Sequence, residues 1–225
     1  MSLHHLLTQN IQAIVNEFLQ EPYRFFTEAE AVTRFHKLLN RNASLSKKYQ
    51  SKDSYQIGVI HQEFPTMFRF KAKDPSVKTT VGSRGHYDIV ILNPAFIEQH
   101  LACVVTNREI GLSNTRNKTL TPLQAIIEFK LGDRAWSMGK TRGIKEVLGK
   151  LVLSQDDAEL FYVVVLQRQS NRFSSNGYFP AIEEASRKQY SNIHTVFATS
   201  WLGDHANQSP TQWLGAWSSS HNTLS

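Results

Sequence analysis

Apolar residues recur at three-to-four spacing over residues 3–20, at Leu7, Ile11, Ile14, Val15 and Phe18. That period predicts an amphipathic helix, and Pro22 ends it. A second helix is predicted from Glu28 to about Leu39. Thr27 supplies an N-cap, and Glu30, three residues on, completes a capping box. At 100° per residue Val32, Phe35 and Leu39 form one stripe. Glu28 falls within that stripe and Glu30 on the opposite side. Glu28 is therefore the carboxylate that points inward, unless it only complements the helix dipole in the first turn.

Beyond this helix the period changes. Residues 40–54 are polar, basic and without period, and read as a loop. Tyr55 to His61 reads as a strand closed by Glu63 and Pro65. Residues 66–84 interleave Phe68, Phe70 and Val77 with Arg69, Lys71, Lys73, Lys78 and Arg84. Such a segment can grip a nucleic-acid backbone, or it can be one face of an exposed hairpin. Gly82 to His86 reads as a turn into a strand, Tyr87–Leu92, stopped by Pro94. Residues 95–123 read as an insertion holding a short helix and a loop. A strand follows at Leu123–Leu131, then a helix from about Met138 to Leu153. The continuous apolar run at Glu159–Gln167 predicts a strand buried on both faces. A polar loop at 170–178, a helix at Ala181–Tyr190 and a last strand at His194–Thr199 complete the pattern. Strands alternate with helices in the second half, which predicts an α/β fold with a central mixed sheet flanked by helices. The chain reads as a single domain with its core at about 23–200 and a Trp-containing tail at 201–225.

Composition changes this picture little. A chain of 225 residues, 40% apolar, is of ordinary globular size and make-up. Its one cysteine, Cys103, excludes an intramolecular disulfide framework and, set in Leu-Ala-Cys-Val-Val, reads as buried core. There is no apolar run of the ~20 residues needed to span a bilayer and no secretory signal pattern, so a cytoplasmic protein with no membrane partner is expected. Charge is more informative. The net charge is +6, yet residues 34–84 hold eleven Lys or Arg against three Asp or Glu. A basic segment in an otherwise near-neutral chain is the footprint of a polyanion binder, or else a solubilising surface.

The candidate chemistry lies on two apolar strands. In Ile127-Glu128-Phe129-Lys130-Leu131, strand alternation puts Glu128 and Lys130 on one face and their apolar neighbours on the other. Asp88 stands near the start of Tyr87-Asp88-Ile89-Val90-Ile91-Leu92. A charge in a buried strand is costly unless paired, hydrogen-bonded or metal-bound. Asp88 and Glu128, brought together, would offer two hard oxygen ligands suited to Mg²⁺. Lys130 could orient an attacking water or stabilise developing charge on a phosphate. The competing reading is a structural Glu128–Lys130 ion pair, with Asp88 capping a turn. His61 and His86 lack metal-ligand spacing and read as strand-end or turn residues.

Tyr87-Asp88-Ile89-Val90-Ile91 followed by Ile127-Glu128-Phe129-Lys130 resembles the PD-(D/E)xK nuclease superfamily, over roughly residues 23–167. The resemblance includes Phe26-Thr27-Glu28-Ala29-Glu30, similar to the first core helix with its acidic residue. It departs at Tyr87, where the motif has proline, and in the long interval between Asp88 and Glu128. It implies a restriction-endonuclease-like core of a helix, three strands, a helix and a strand. It also implies a hydrolase cleaving phosphodiester bonds of DNA with Mg²⁺ (or Mn²⁺ in its place). Asp88 and Glu128 would be metal ligands, Lys130 the catalytic lysine and Glu28 an auxiliary acid, with Glu63 competing for that last role. The alternative is an inactive nuclease-like fold that binds nucleic acid or a protein partner. A homodimer is left open.

Overall fold

The computed structural model describes residues 1–71, 74–79, 83–106, 120–132, 142–169, 193–201 and 211–216. The expected helix at 181–190, the loop at 170–178 and Trp217 lie outside them. The class is α/β, with a mixed sheet and flanking helices. The chain divides into two compact units, one of Met1–Phe35, Glu128–Gly149 and Tyr162–Ser225, the other of His36–Ile127 and Lys150–Phe161.

The first unit begins with α1 (Leu3–Gln20), capped by Ser2, whose hydroxyl accepts from the His5 amide. Its inward side chains, Leu7, Ile11, Ile14, Val15 and Phe18, are fully buried. Each such burial is worth about 1.5–3 kcal/mol relative to exposure. Helix α2 (Glu28–Leu39) follows a short connection. The two helices are tied by Arg34, whose guanidinium holds Glu17 through Nε at 2.9 and 3.1 Å and through Nη2. Arg24 adds a second cation to Glu17 at 3.2 Å. The hydrogen bond from Arg34 to Glu17 raises the guanidinium pKa further. The unit's strands, in spatial order, are the second half of β6 (Leu123–Gly132), most of β7 (Ala158–Gln169), β8 (Ile193–Trp201) and β9 (Thr211–Ala216). β8 and β9 are antiparallel, and so the tail supplies a strand that its scattered tryptophans did not suggest.

The second unit contains β1 (Lys48–Gln50), β2 (Gln56–Gly58), β3 (Ile60–Lys71), β4 (Asp74–Thr79) and β5 (Ser83–Leu92), then α3 (Pro94–Gln99) and α4 (Ala102–Thr106). Its larger sheet runs β4-β3-β5-β6-β7, with β3 antiparallel to β4 and β5, and β5 antiparallel to β6. The Leu123 amide donates to the Asp157 carbonyl at 3.1 Å, and Thr121 reaches Glu159. The starts of β6 and β7 therefore lie together, the arrangement of a parallel pair joined by a crossover. That crossover contains α5 (Arg142–Leu153).

Four expectations are corrected here. Residues 48–50 are a strand, not loop, because the polar turn before β2 is closed by its own side chains. Ser51 Oγ donates to Asp53, the Ser51 amide donates to the Tyr55 carbonyl, and Ser54 takes φ 71°. Pro65 does not close a strand, for β3 continues to Lys71. Among the described residues the ladder to β4 involves Arg69 to Lys71, while at Pro65 the strand has a ladder neighbour on the β5 side, opposite His86. An edge-like position with a nearby register shift tolerates proline. Residues 83–86 are already strand, stitched to β3 where the Gly85 amide donates to Thr66 Oγ1. Cys103 is exposed, because the short helix α4 turns only Val105 into the core.

Candidate active site

The capping box of α2 decides how its two first-turn carboxylates are used. Glu30 Oε2 accepts from the amides of Phe26 at 2.5 Å and Thr27 at 3.1 Å, while the Glu30 amide donates to Thr27 Oγ1 at 3.2 Å. Glu30 is thus spent on the helix end and stays exposed. Glu28 lies on the stripe of Val32, Phe35 and Leu39, all buried, and is half-buried itself.

The partner of Glu28 is Lys130. The Lys130 ammonium donates to Glu28 Oε1 at 2.8 Å and to the Phe129 carbonyl at 2.5 Å. The other Glu28 oxygen lies 3.4 Å from the Leu131 amide. One carboxylate therefore holds both the amine and the backbone of β6. With the Lys130 side chain 18% exposed and that of Glu28 37%, the pair is worth on the order of 1 kcal/mol. Glu128, two residues before Lys130, is 1% exposed. A buried carboxylate carries a desolvation cost and belongs to a site that compensates it. Phe129, between them, packs against Phe35 of α2 with ring centroids 5.3 Å apart. That contact anchors the strand segment on which both charges stand.

Asp88 belongs to the second unit. It is half-buried on β5, between Tyr87 and Ile89, which are fully buried. Its neighbour Ile89 pairs with Ile127, the residue before Glu128. The Tyr87 hydroxyl lies 2.6 Å from Ser154 Oγ, which itself donates to the Lys150 carbonyl, so the β5 start is held to the end of α5. Lys150 also donates to the His86 carbonyl at 2.8 Å. Glu63 is exposed and takes φ 48°, in the left-handed region that most side chains avoid. The flanking pairs Gln62–Ile89 and Phe64–Tyr87 put Glu63 across from Asp88 on the neighbouring strand. His61 Nε2 lies 2.8 Å from the Gly58 carbonyl, and His86 is exposed.

Among the described residues no three His, Cys, Asp or Glu side chains gather as a metal-binding group. Mg²⁺ asks for less, since one or two carboxylates, waters and substrate phosphate complete its shell. Asp88 and Glu128 are hard oxygen donors of that kind. Glu28, engaged by Lys130, fits the work of holding the amine better than that of a ligand.

Two features escaped the sequence reading. Arg168, near the end of β7, is 2% exposed, and its guanidinium carbon lies 5.0 Å from the centre of the Tyr23 ring. A cation closing an apolar strand was a legible signal of the same kind as Glu128. The second feature joins His4, Tyr162 and His194. Tyr162 Oη lies 2.6 Å from His4 Nδ1, and the His194 ring centre is 4.7 Å from that of His4 and 5.0 Å from that of Tyr162. Burial pushes the Tyr162 phenol up to about 12. Burial and then the charge of His4 push the His194 imidazole down to about 4.

The fold and these side chains define an α/β protein with an amine–carboxylate pair on a helix-covered strand. Compared with models of protein families, with curated proteins and with solved structures, the chain matches none. No described helix is long and apolar enough to cross a membrane.

Proposed function

We propose that the protein is a metal-dependent nuclease of the PD-(D/E)xK type, with a restriction-endonuclease-like core, hydrolysing phosphodiester bonds of DNA. The observation that carries this reading is the Lys130 ammonium held 2.8 Å from Glu28, on the strand that buries Glu128. In this reading Asp88 and Glu128 hold Mg²⁺. The bound ion supplies Lewis acidity at the phosphoryl oxygen and a more acidic water. Lys130 orients that water or stabilises charge developing on the phosphate, and Glu28 keeps the amine aimed. The basic stretch from Arg34 to Arg84 favours an anionic substrate.

The test is incubation of linear, circular and single-stranded DNA with Mg²⁺ or Mn²⁺, comparing wild type with Asp88→Ala and Lys130→Ala. Cleavage by wild type and its loss in both variants is the expected result. No cleavage by wild type, or cleavage unchanged in both variants, removes the proposal. A second reading, a nuclease-like fold used only for binding, draws on the same pair. Lys130 already donates to Glu28 and to the Phe129 carbonyl, as a structural amine would. It predicts salt-sensitive DNA binding without turnover and unaltered binding by the two variants.

A further inference from the structure

We propose that the β1–β2 hairpin is a ribbon that enters the major groove of duplex DNA, with Gln50 and Gln56 reading base edges and Lys48 and Lys52 meeting phosphates. The inference deepens the nuclease reading by naming how its target is held, and takes from that reading only the polymer, DNA.

The hairpin stands apart from the main sheet. β1 and β2 form an antiparallel two-stranded sheet of their own, with Lys48 opposite Gly58, Tyr49 opposite Ile57 and Gln50 opposite Gln56. Strand alternation separates two faces. Ile57 is buried and Tyr49 half-buried on one of them, and α3 packs against β1. Lys48, Gln50 and Gln56, all exposed, share the other face with Gly58. The turn between the strands is braced. The Ser51 amide donates to the Tyr55 carbonyl at 2.8 Å, the Lys52 amide to the His100 carbonyl at 2.9 Å, and the Ala102 amide to Asp53 at 2.8 Å. The outward face is therefore fixed in advance of any ligand.

Gly58 is the unusual member of that face. Its backbone lies outside the left-handed region that calls for glycine, and a Cβ added there would meet no heavy atom within 4 Å. Neither conformation nor packing accounts for it. A glycine inside a strand often marks a place where another backbone or a ligand comes close. Here it keeps the ribbon low directly across from Lys48.

Charge and shape name the ligand. From Lys37 to Gly58 the chain holds five Lys or Arg, namely Lys37, Arg41, Lys47, Lys48 and Lys52, against the single acid Asp53. All five are exposed, and among the described residues no ion pair neutralises them. Asp53 is already engaged by Ser51 and by the Ala102 amide, whose hydrogen bonds hold its carboxyl below the usual carboxylate range. The neighbouring α3 adds one exposed acid, Glu98. Such a surface attracts a polyanion. The major groove of B-DNA, about 12 Å wide, admits a two-stranded ribbon, and a glutamine there bonds adenine at both N6 and N7. Residues directly opposite on paired strands have Cβ atoms about 5 Å apart, so Gln50 and Gln56 reach adjacent base pairs. A single strand offers no groove to seat the ribbon.

The experiment is fluorescence anisotropy in EDTA with a dye-labelled duplex and its single strand, together with sequencing of the fraction bound from a random duplex pool. Wild type should prefer the duplex and enrich a short adenine-containing motif. Lys48→Gln with Lys52→Gln should weaken binding to every duplex about ten-fold and lower the slope of log affinity against log salt by about two. Gly58→Val should weaken duplex binding about ten-fold while the melting temperature holds, because its side chain projects into open space. Gln50→Ala with Gln56→Ala should abolish the enrichment and keep the salt-dependent binding. The proposal is overturned if wild type binds no duplex or favours the single strand, if the lysine and glycine variants bind as wild type does, or if the enriched motif is absent or survives loss of both glutamines. Duplex binding that follows these expectations without any cleavage would remove the nuclease and leave the ribbon. Cleavage by wild type, with the ribbon variants binding and cutting equally well, would remove the ribbon and leave the nuclease.

Discussion

Lys130 and Glu28 meet across 2.8 Å, a strand amine held by the first-turn carboxylate of a helix about a hundred residues earlier in the chain. The second Glu28 oxygen approaches the Leu131 amide, so the helix end and the strand are joined at two points. Lys130→Met should therefore separate function from stability. The fold should lose no more than about 1 kcal/mol by urea denaturation, since the pair is partly solvated. Cleavage should fall about 100-fold or more if the amine acts in the reaction. Equal, small changes in both would leave the pair with only a structural role.

Glu128 should behave in the opposite sense to an ordinary core residue. Glu128→Gln keeps the shape and removes the buried charge, so the melting temperature should hold or rise while metal-dependent cleavage disappears. A large fall in melting temperature with cleavage retained would place Glu128 in the scaffold. If the protein is the proposed nuclease, EDTA should likewise stop its turnover without unfolding it.

The capping box should be measurable in isolation. Thr27→Ala removes the oxygen that accepts from the Glu30 amide, and should cost about 1 kcal/mol. For a chain of this size that is a drop in melting temperature of about 2–4 °C. Thr27→Ser should recover most of it. If Ala and wild type melt together, the box does not hold the start of α2.

Phe129→Ala should cost about 3–5 kcal/mol, because the ring is 1% exposed and packs on Phe35. A double-mutant cycle with Phe35→Ala should return a coupling of about 0.5–1.5 kcal/mol beyond burial. Additive losses would show that the two rings share a core without interacting.

His194 supplies a pH dependence. Its folded imidazole is held at about 4, below an ordinary value of 6.5, by burial and by His4. The unfolded chain therefore takes up the proton first as pH falls. The contribution is fully present above about pH 6.5 and is lost progressively towards pH 4. Urea midpoints at pH 7.5 and pH 5 should show wild type weakening on acidification and His194→Gln weakening less. Parallel loss in both proteins would assign the effect to other groups.

The helices were legible where local rules act alone. The bounds of α1 and α2 follow from apolar spacing, Pro22 and the Thr27–Glu30 box, all set within one or two turns of chain. The inward side of α2 was also readable, because Val32, Phe35 and Leu39 are bound to one stripe by helical geometry. The strand at Leu123–Gly132 and the buried run in β7 announced themselves by their apolar content. The strand through Pro65 did not. Proline's missing amide matters only where a ladder bond is due, and which side of β3 carries a neighbour at that point is a fact of pairing rather than of sequence. Cys103 misled for a related reason: a helix of five residues has too few turns for its apolar positions to declare a face.

The sequence, then, marked Glu28, Asp88, Glu128 and Lys130 as charges in the wrong surroundings, because a charge among apolar neighbours is costly whatever the fold. It did not say which charge answers which. Lys130 takes Glu28, while Glu30, two residues on, is consumed by the Phe26 and Thr27 amides. That choice rests on where a helix end and a strand, far apart in the chain, come to lie. Partners at such separation are selected by packing, which no local pattern encodes.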